Sequence, residues 1–254
     1  MEKKFNFKNK TIFLTGANGY LGKEIQKNYH NFGANLILTD KQKYNFINKK
    51  LRYFQCDLSD PNDQLNLIKK VKNITNKIDV VINNASYTGD SKLLNWSTSF
   101  MKQDVVHWDK VFNVTLKANF QICRGLYTLL KKGKGGSIIN IGSIYGFMGP
   151  DWNLYKKTSI SNPAGYGISK AGLIYLTKWL ASSMSPKVRV NCISSGGILR
   201  NQNIFFIKKY IKKVPLKRMC KEKDIIGSIM FLSSNSSRYI TGQNLILDGG
   251  YSII

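Results

Sequence analysis

Cysteine and histidine are scarce in this 254-residue chain, with four of the first and two of the second. Cys56, Cys123, Cys192 and Cys220 stand far apart with no C-x-x-C pair, so neither a disulfide framework nor a zinc site is encoded. They read as free thiols in a reducing compartment, and no metal is expected. Long apolar runs are missing as well. Nothing approaches the ~18 to 20 apolar residues of a membrane span, and "TIFLTG" near the start is too short and wrongly followed to be a signal peptide. A cytoplasmic protein with no membrane partner is expected. Acidic residues are few, 14 against 39 Lys and Arg, which gives a formal net charge of +25. Such an excess often meets nucleic acid. Here the cations are nearly all Lys, 33 against 6 Arg, scattered over every segment and accompanied by 25 Asn. Base readout and phosphate forks favour Arg, whereas joint Lys and Asn excess is what an AT-rich coding sequence produces. The charge therefore reads as a solvated lysine surface that can also attract an anionic small substrate, with no nucleic-acid partner.

What is present is an alternation of short β-branched runs with longer amphipathic stretches. Strands are predicted at 11–15, 35–39, 51–56, 78–83, 136–142, 188–193 and 244–248, and helices near 20–32, 61–76, 104–132, 164–184, 203–213 and 222–233. There is no repeat, low-complexity tract or linker. The pattern predicts an α/β fold of the Rossmann type, a doubly wound seven-stranded parallel sheet with helices on both faces, in a single domain over 1–254. Open sheets of this kind bind ligands outside the carboxyl ends of their strands. The small and polar oddities all fall there: "TGANGYLG" with Gly16, Gly19 and Gly22, then Asp40, Asp57 and Leu58, then Asn83, Asn84 and Ala85, then Ser143, and finally Ser195, Gly196 and Gly197.

Glycines three apart between a strand and a helix let backbone approach a pyrophosphate, where helix N-terminal N–H groups bind anions. An ordinary tight turn is the competing reading of the G-x-x-G-x-x-G spacing. Asp40, at the end of the next strand, can accept both hydrogen bonds of an adenosine ribose and would repel a 2′-phosphate, which favours NAD over NADP. The neighbouring Lys41 pulls the other way. Chance alone gives roughly 1.7 Tyr-x-x-x-Lys pairs at one-turn spacing in a chain of this composition, and there are two, Tyr127/Lys131 and Tyr166/Lys170. Tyr127 lies inside an amphipathic helix and reads as packing. Tyr166 opens a helix just after the Ser143-terminated strand, where a phenol with a cation one turn away can exchange a proton with a substrate oxygen that Ser143 also holds.

Through "TGANGYLG", "NNAS", "INIGS", "YGISK", "VRVNCI" and "YITGQNLILDGG", the chain resembles the short-chain dehydrogenase/reductase family over essentially its whole length. The resemblance implies a catalytic set of Ser143, Tyr166 and Lys170, with Lys170 also binding the nicotinamide ribose. It implies a cofactor site for NAD, or NADP, formed by Gly16, Asn18, Gly19, Tyr20, Leu21, Asp40, Asp57, Leu58, Asn84, Ala85, Ser86, Tyr166, Lys170, Gly197 and Ile198, and a homodimer or homotetramer. Four departures stand out. Thr115 occupies the place of the family's relay Asn. Ser195 replaces the proline after the sixth strand, and Arg200 falls near a usual Thr. The fourth concerns length: 23 positions separate Ser143 from Tyr166, and the insert at 144–165, with Trp152, Tyr155, Lys156 and Lys157, suits a sugar-like, anionic substrate, a surface excursion or oligomer contact being the competing reading. A lid is expected at 195–215. The insert, "SIYG" and "PLKRM" are similar to family members of surface-glycan and flagellin-modification loci that feed acidic nine-carbon sugars. The expected activity is hydride transfer to or from a secondary alcohol or ketone of such a substrate. The alternatives are a 3-oxoacyl thioester reductase, or a noncatalytic dinucleotide-sensing or nucleic-acid-binding protein on the same fold.

Overall fold

The computed structural model describes residues 5–43, 51–87, 93–133, 135–158 and 161–254. Strands β1 (Thr11–Thr15), β4 (Val80–Asn83) and β5 (Gly136–Ser143) are buried from end to end. That is why their sequences are continuous apolar runs rather than alternations, as expected of parallel strands covered on both faces. With β2 (Asn35–Asp40), β3 (Leu51–Gln55), β6 (Val188–Ser195) and β7 (Asn244–Leu247) they form one seven-stranded sheet ordered β3-β2-β1-β4-β5-β6-β7, every pair parallel. The chain winds outward from β1 to β3 and then returns to β4, so the order reverses between β1 and β4.

Successive strand residues point to opposite faces, and each face has its own core. Ile12, Leu14, Leu36, Leu38, Val80 and Ile82 meet Ile25 and Tyr29 of α1 (Tyr20–Asn31) and Ile225 and Ile229 of α7 (Glu222–Ser233). Phe13, Ile37, Val81 and Ile138 meet α2 (Pro61–Ile74), α4 (Ala118–Leu130) and α5 (Ala164–Met184) through Leu67, Ile122, Leu126 and Leu180. A third cluster joins the 144–165 insert to α6 (Ile204–Lys213) through Ile144, Leu154, Phe206, Tyr210 and Tyr251. Among the described residues, no helix is long and apolar enough to cross a membrane.

The predicted 104–132 helix differs at its start and in its middle. It starts at Trp108, because Asp104 N is taken by Asn95 O at 3.1 Å and the preceding residues form a 3₁₀ turn. It then runs through α3 (Trp108–Phe112), a π turn (Asn113–Lys117) and α4. The Asn119 side chain donates to Thr115 O at 2.8 Å, so a side-chain amide enters the helical ladder where the turn widens.

Candidate active site

The reversal in strand order opens a crevice at the carboxyl ends of β1 and β4, and the glycine turn fills its floor. Gly16 has φ of +65°, and a Cβ there would sit 2.9 Å from Ala85 Cα and Asn84 Nδ2. A Cβ on Gly22 would fall 2.1 Å from Gly16 O, so α1 can press against the turn only with glycine at that position. Gly19 precedes α1, and no side chain caps the helix. Its N–H groups face the crevice with the positive end of the helix dipole. This cradle, which side chains would fill, fits a dinucleotide pyrophosphate.

Several residues expected at the cofactor cleft brace it. Asn84 Nδ2 donates to Thr15 O at 3.1 Å and Gly16 O at 2.9 Å, and Thr15 Oγ1 accepts from the N–H groups of Asn84 and Ala85. The Asp40 carboxylate accepts from Asn18 N at 2.9 Å and Gln42 N at 3.2 Å. It therefore shapes the glycine turn from the end of β2. Asp57 accepts from Ser59 N and Oγ, both at 2.8 Å, in the turn into α2, and the Leu58 side chain is buried in the core. Leu21 is buried, Tyr20 is largely exposed, and Ser86 Oγ is buried without a partner among the described residues. Across the crevice Gly197 N donates to the Tyr210 hydroxyl at 2.6 Å, and Ile198 forms a bridge with Cys220.

At the next strand end three side chains converge. Ser143 lies beside the Tyr166 phenol, close enough to act on its pKa, and its Oγ accepts from Tyr145 N at 3.2 Å. Lys170, one turn along α5, is buried, donates to Ile141 O at 2.7 Å, and holds its ammonium 5.7 Å from the Tyr166 ring centroid. Burial lowers Lys170 to about 8, and the burial of Tyr166 pushes its phenol up, against the influence of Ser143. Desolvation is the largest of these causes. Tyr166 is held protonated at neutral pH. Tyr127 has Lys131 over its ring, far along the chain from any strand end. Beneath the three, Asn83 Nδ2 donates to Asn140 Oδ1, and Asn140 Nδ2 to Thr177 Oγ1, both at 2.8 Å. This locks β4, β5 and α5 together. Thr115 Oγ1 is buried and unpaired among the described residues.

The 144–165 insert brings a second set of hydroxyls to this rim. The Tyr145 and Tyr155 hydroxyls lie 2.8 Å apart, Asn162 Nδ2 donates to Tyr155 at 3.3 Å, and Tyr155 is close enough for its phenolate to raise the Tyr166 phenol. Sequence reasoning singled out Tyr155 but not Tyr145 or Asn162, although Tyr145 follows Ser143 by two. The insert is bolted to α6: Lys209 Nζ donates to Asn153 O at 2.7 Å and Lys156 O at 2.9 Å, and Lys213 pairs with Asp151 at 2.5 Å. Lys156 and Lys157 are exposed, and part of the insert, 159–160, lies outside the described residues.

A crevice at the sheet's reversal point with a Ser, Tyr and Lys beside it is an oxidoreductase site. The chain belongs to the short-chain dehydrogenase/reductase family, with a family model described as enoyl-(acyl carrier protein) reductase matching residues 16–252. It is 32% identical over 252 residues to a 3-oxoacyl-[acyl-carrier-protein] reductase FabG of Buchnera aphidicola, covering 95% of this chain and 96% of that one. It is 29% identical to the post-translational flagellin modification protein A of Campylobacter coli, covering 96% and 99%. A short chain dehydrogenase from Leptospira borgpetersenii, solved with bound NAD+, superposes with a TM-score of 0.87 at 33% identity, over 97% of this chain and 94% of that one.

Proposed function

We propose that the protein moves a hydride between a nicotinamide dinucleotide, NAD in preference to NADP, and a secondary alcohol or ketone of a polar, sugar-like substrate in surface-glycan biosynthesis. The observation that carries this reading is the wall of two hydroxyls and an amide, from Tyr145, Tyr155 and Asn162, beside Ser143, Tyr166 and Lys170. The relationship to a flagellin modification protein agrees with it. The dinucleotide, when bound, supplies or receives the hydride. Ser143 holds the substrate oxygen. In the reducing direction the Tyr166 phenol, protonated at neutral pH as any phenol is, gives that oxygen its proton, and the Lys170 ammonium stabilises the phenolate left behind. Oxidation runs the same transfers backwards. Exposed Lys156 and Lys157 draw an anionic substrate through solvent, an attraction that salt screens.

A second reading, reduction of a 3-oxoacyl thioester, is favoured by the FabG relatives. Following the absorbance of reduced nicotinamide with a panel of sugars, sugar phosphates, nucleotide-linked sugars and an acetoacetyl thioester separates the two. Turnover confined to the thioester overturns the sugar reading. For quaternary structure, we propose that a second copy covers the outward apolar face of α4 and α5, where Tyr175 and Trp179 are exposed beside Phe120 and Leu176.

A further inference from the structure

Arg200 departs from the family pattern, and its surroundings are built. Its N–H donates to Gln202 Oε1 at 2.6 Å, while Gln202 Nε2 donates back to Ile198 O at 2.7 Å, so the backbone just after β6 is fixed. Nη1 donates to Leu199 O at 2.9 Å and forms an ion pair with Glu222, the first residue of α7. The guanidinium then lies over the Tyr20 ring, Cζ 4.4 Å from its centroid. Tyr20 is the first residue of α1, immediately after Gly19, and its ring is otherwise 69% exposed. A cation carried by the segment that leads into α6 therefore reaches across the crevice to the helix end that forms the phosphate cradle.

We propose that Arg200 is a cofactor-positioning residue, a clasp over the pyrophosphate end of the site. Held in place by Glu222 and Tyr20, it offers one positive charge to the dinucleotide phosphates and ties the lid-bearing segment to α1. Leaving the site then requires the Arg200–Tyr20 contact to open. The inference rests on the dinucleotide reading of the cradle and is independent of which alcohol or ketone is the substrate. A strut between α1 and α7 would use the same contacts for stability alone, and the two roles separate in the kinetics of the bound dinucleotide.

Stopped-flow fluorescence of reduced nicotinamide dinucleotide bound to the full chain reads its release directly. Arg200→Met keeps the apolar stem over Tyr20 and removes the charge, and it should speed release about tenfold, the size of a partly desolvated cation–π and phosphate contact. Arg200→Lys, which keeps a charge but not the planar stack, and Tyr20→Leu, which removes the ring, should each give a smaller increase. Arg238→Met, an exposed cation elsewhere, should leave release unchanged. In calorimetry, Arg200→Met should weaken ADP-ribose, which carries the pyrophosphate, and leave adenosine unaffected. Release within twofold of the unmodified protein, with a lowered melting temperature, overturns the clasp and makes Arg200 a strut. Equal weakening of ADP-ribose and adenosine overturns the phosphate contact. Failure of the unmodified protein to bind ADP-ribose or the reduced dinucleotide overturns the cradle reading and the clasp with it.

Discussion

Lys170 is a charge kept where water cannot reach it, and its removal has a calculable consequence. Burial lowers its folded-state value from the ordinary 10.5 to about 8, so between those values the unfolded chain binds the proton that the folded chain has released. Folding stability attributable to this group therefore rises with pH across that window, and below pH 8 the protein carries the full cost of the buried ammonium, about 3 kcal/mol at ~1.36 kcal/mol per pH unit. Lys170→Met keeps the length of the side chain, abolishes the titration, and leaves Ile141 O without its donor, a loss of ~1–3 kcal/mol. The two effects nearly offset at neutral pH, so a single melting temperature says little. The difference in pH dependence isolates the lysine. Relative to Lys170→Met, the unmodified protein should gain about 2 kcal/mol of unfolding free energy between about pH 7.5 and 9.5. Urea melts followed by tryptophan fluorescence at several pH values measure this, and other titrating groups cancel between the two proteins. A flat difference would refute a desolvated Lys170. The same variant should be nearly inactive, so the active site is held at the expense of stability.

Three further outcomes test the rim. Tyr166→Phe should reduce turnover by at least ~10²-fold with reduced-dinucleotide binding intact, while Tyr127→Phe stays near normal; paired kinetic and fluorescence titrations decide it. Asp40→Ala removes both the ribose partner and the acceptor for Asn18 N, so NAD affinity should fall by about tenfold and the preference over NADP should narrow; a preference for NADP in the unmodified protein would assign the choice to Lys41. Gly22→Ala forces a Cβ to within 2.1 Å of Gly16 O, and the separation of α1 from the turn should lower stability by ~1–3 kcal/mol and weaken dinucleotide binding, read by thermal melts with and without the ligand.

Strands β1, β2, β4, β5 and β6 were legible as largely buried runs ending in a small or polar residue, and the bounds of all seven strands agree within two residues. Tyr166 and Lys170 were legible as a local pair, one helical turn apart. Contacts set by the tertiary fold were not. Nothing near Asn84 in sequence shows that its amide turns back on Thr15 and Gly16. The Tyr145–Tyr155 pair forms only once the insert folds against Phe206. The direction of the Tyr166 shift depends on burial, which spacing does not encode. The interruption of the 104–132 helix turned on an Asn119 amide reaching its own backbone, a choice that a hydrophobic period cannot reveal.

The attachment of the insert to α6 bears on how such a protein can change its preferences. Lys209 grips the carbonyl oxygens of Asn153 and Lys156, main-chain atoms that every residue possesses. Side chains at those positions can therefore be exchanged without loosening the insert from α6. Leu154, by contrast, is committed to the core beneath. A loop held by its backbone and pinned at one apolar point can drift in sequence while the reacting groups stay in register. On the proposed reading of the insert as the substrate wall, new substrates can then be acquired by substitutions confined to it, with the groups at the strand ends left unchanged.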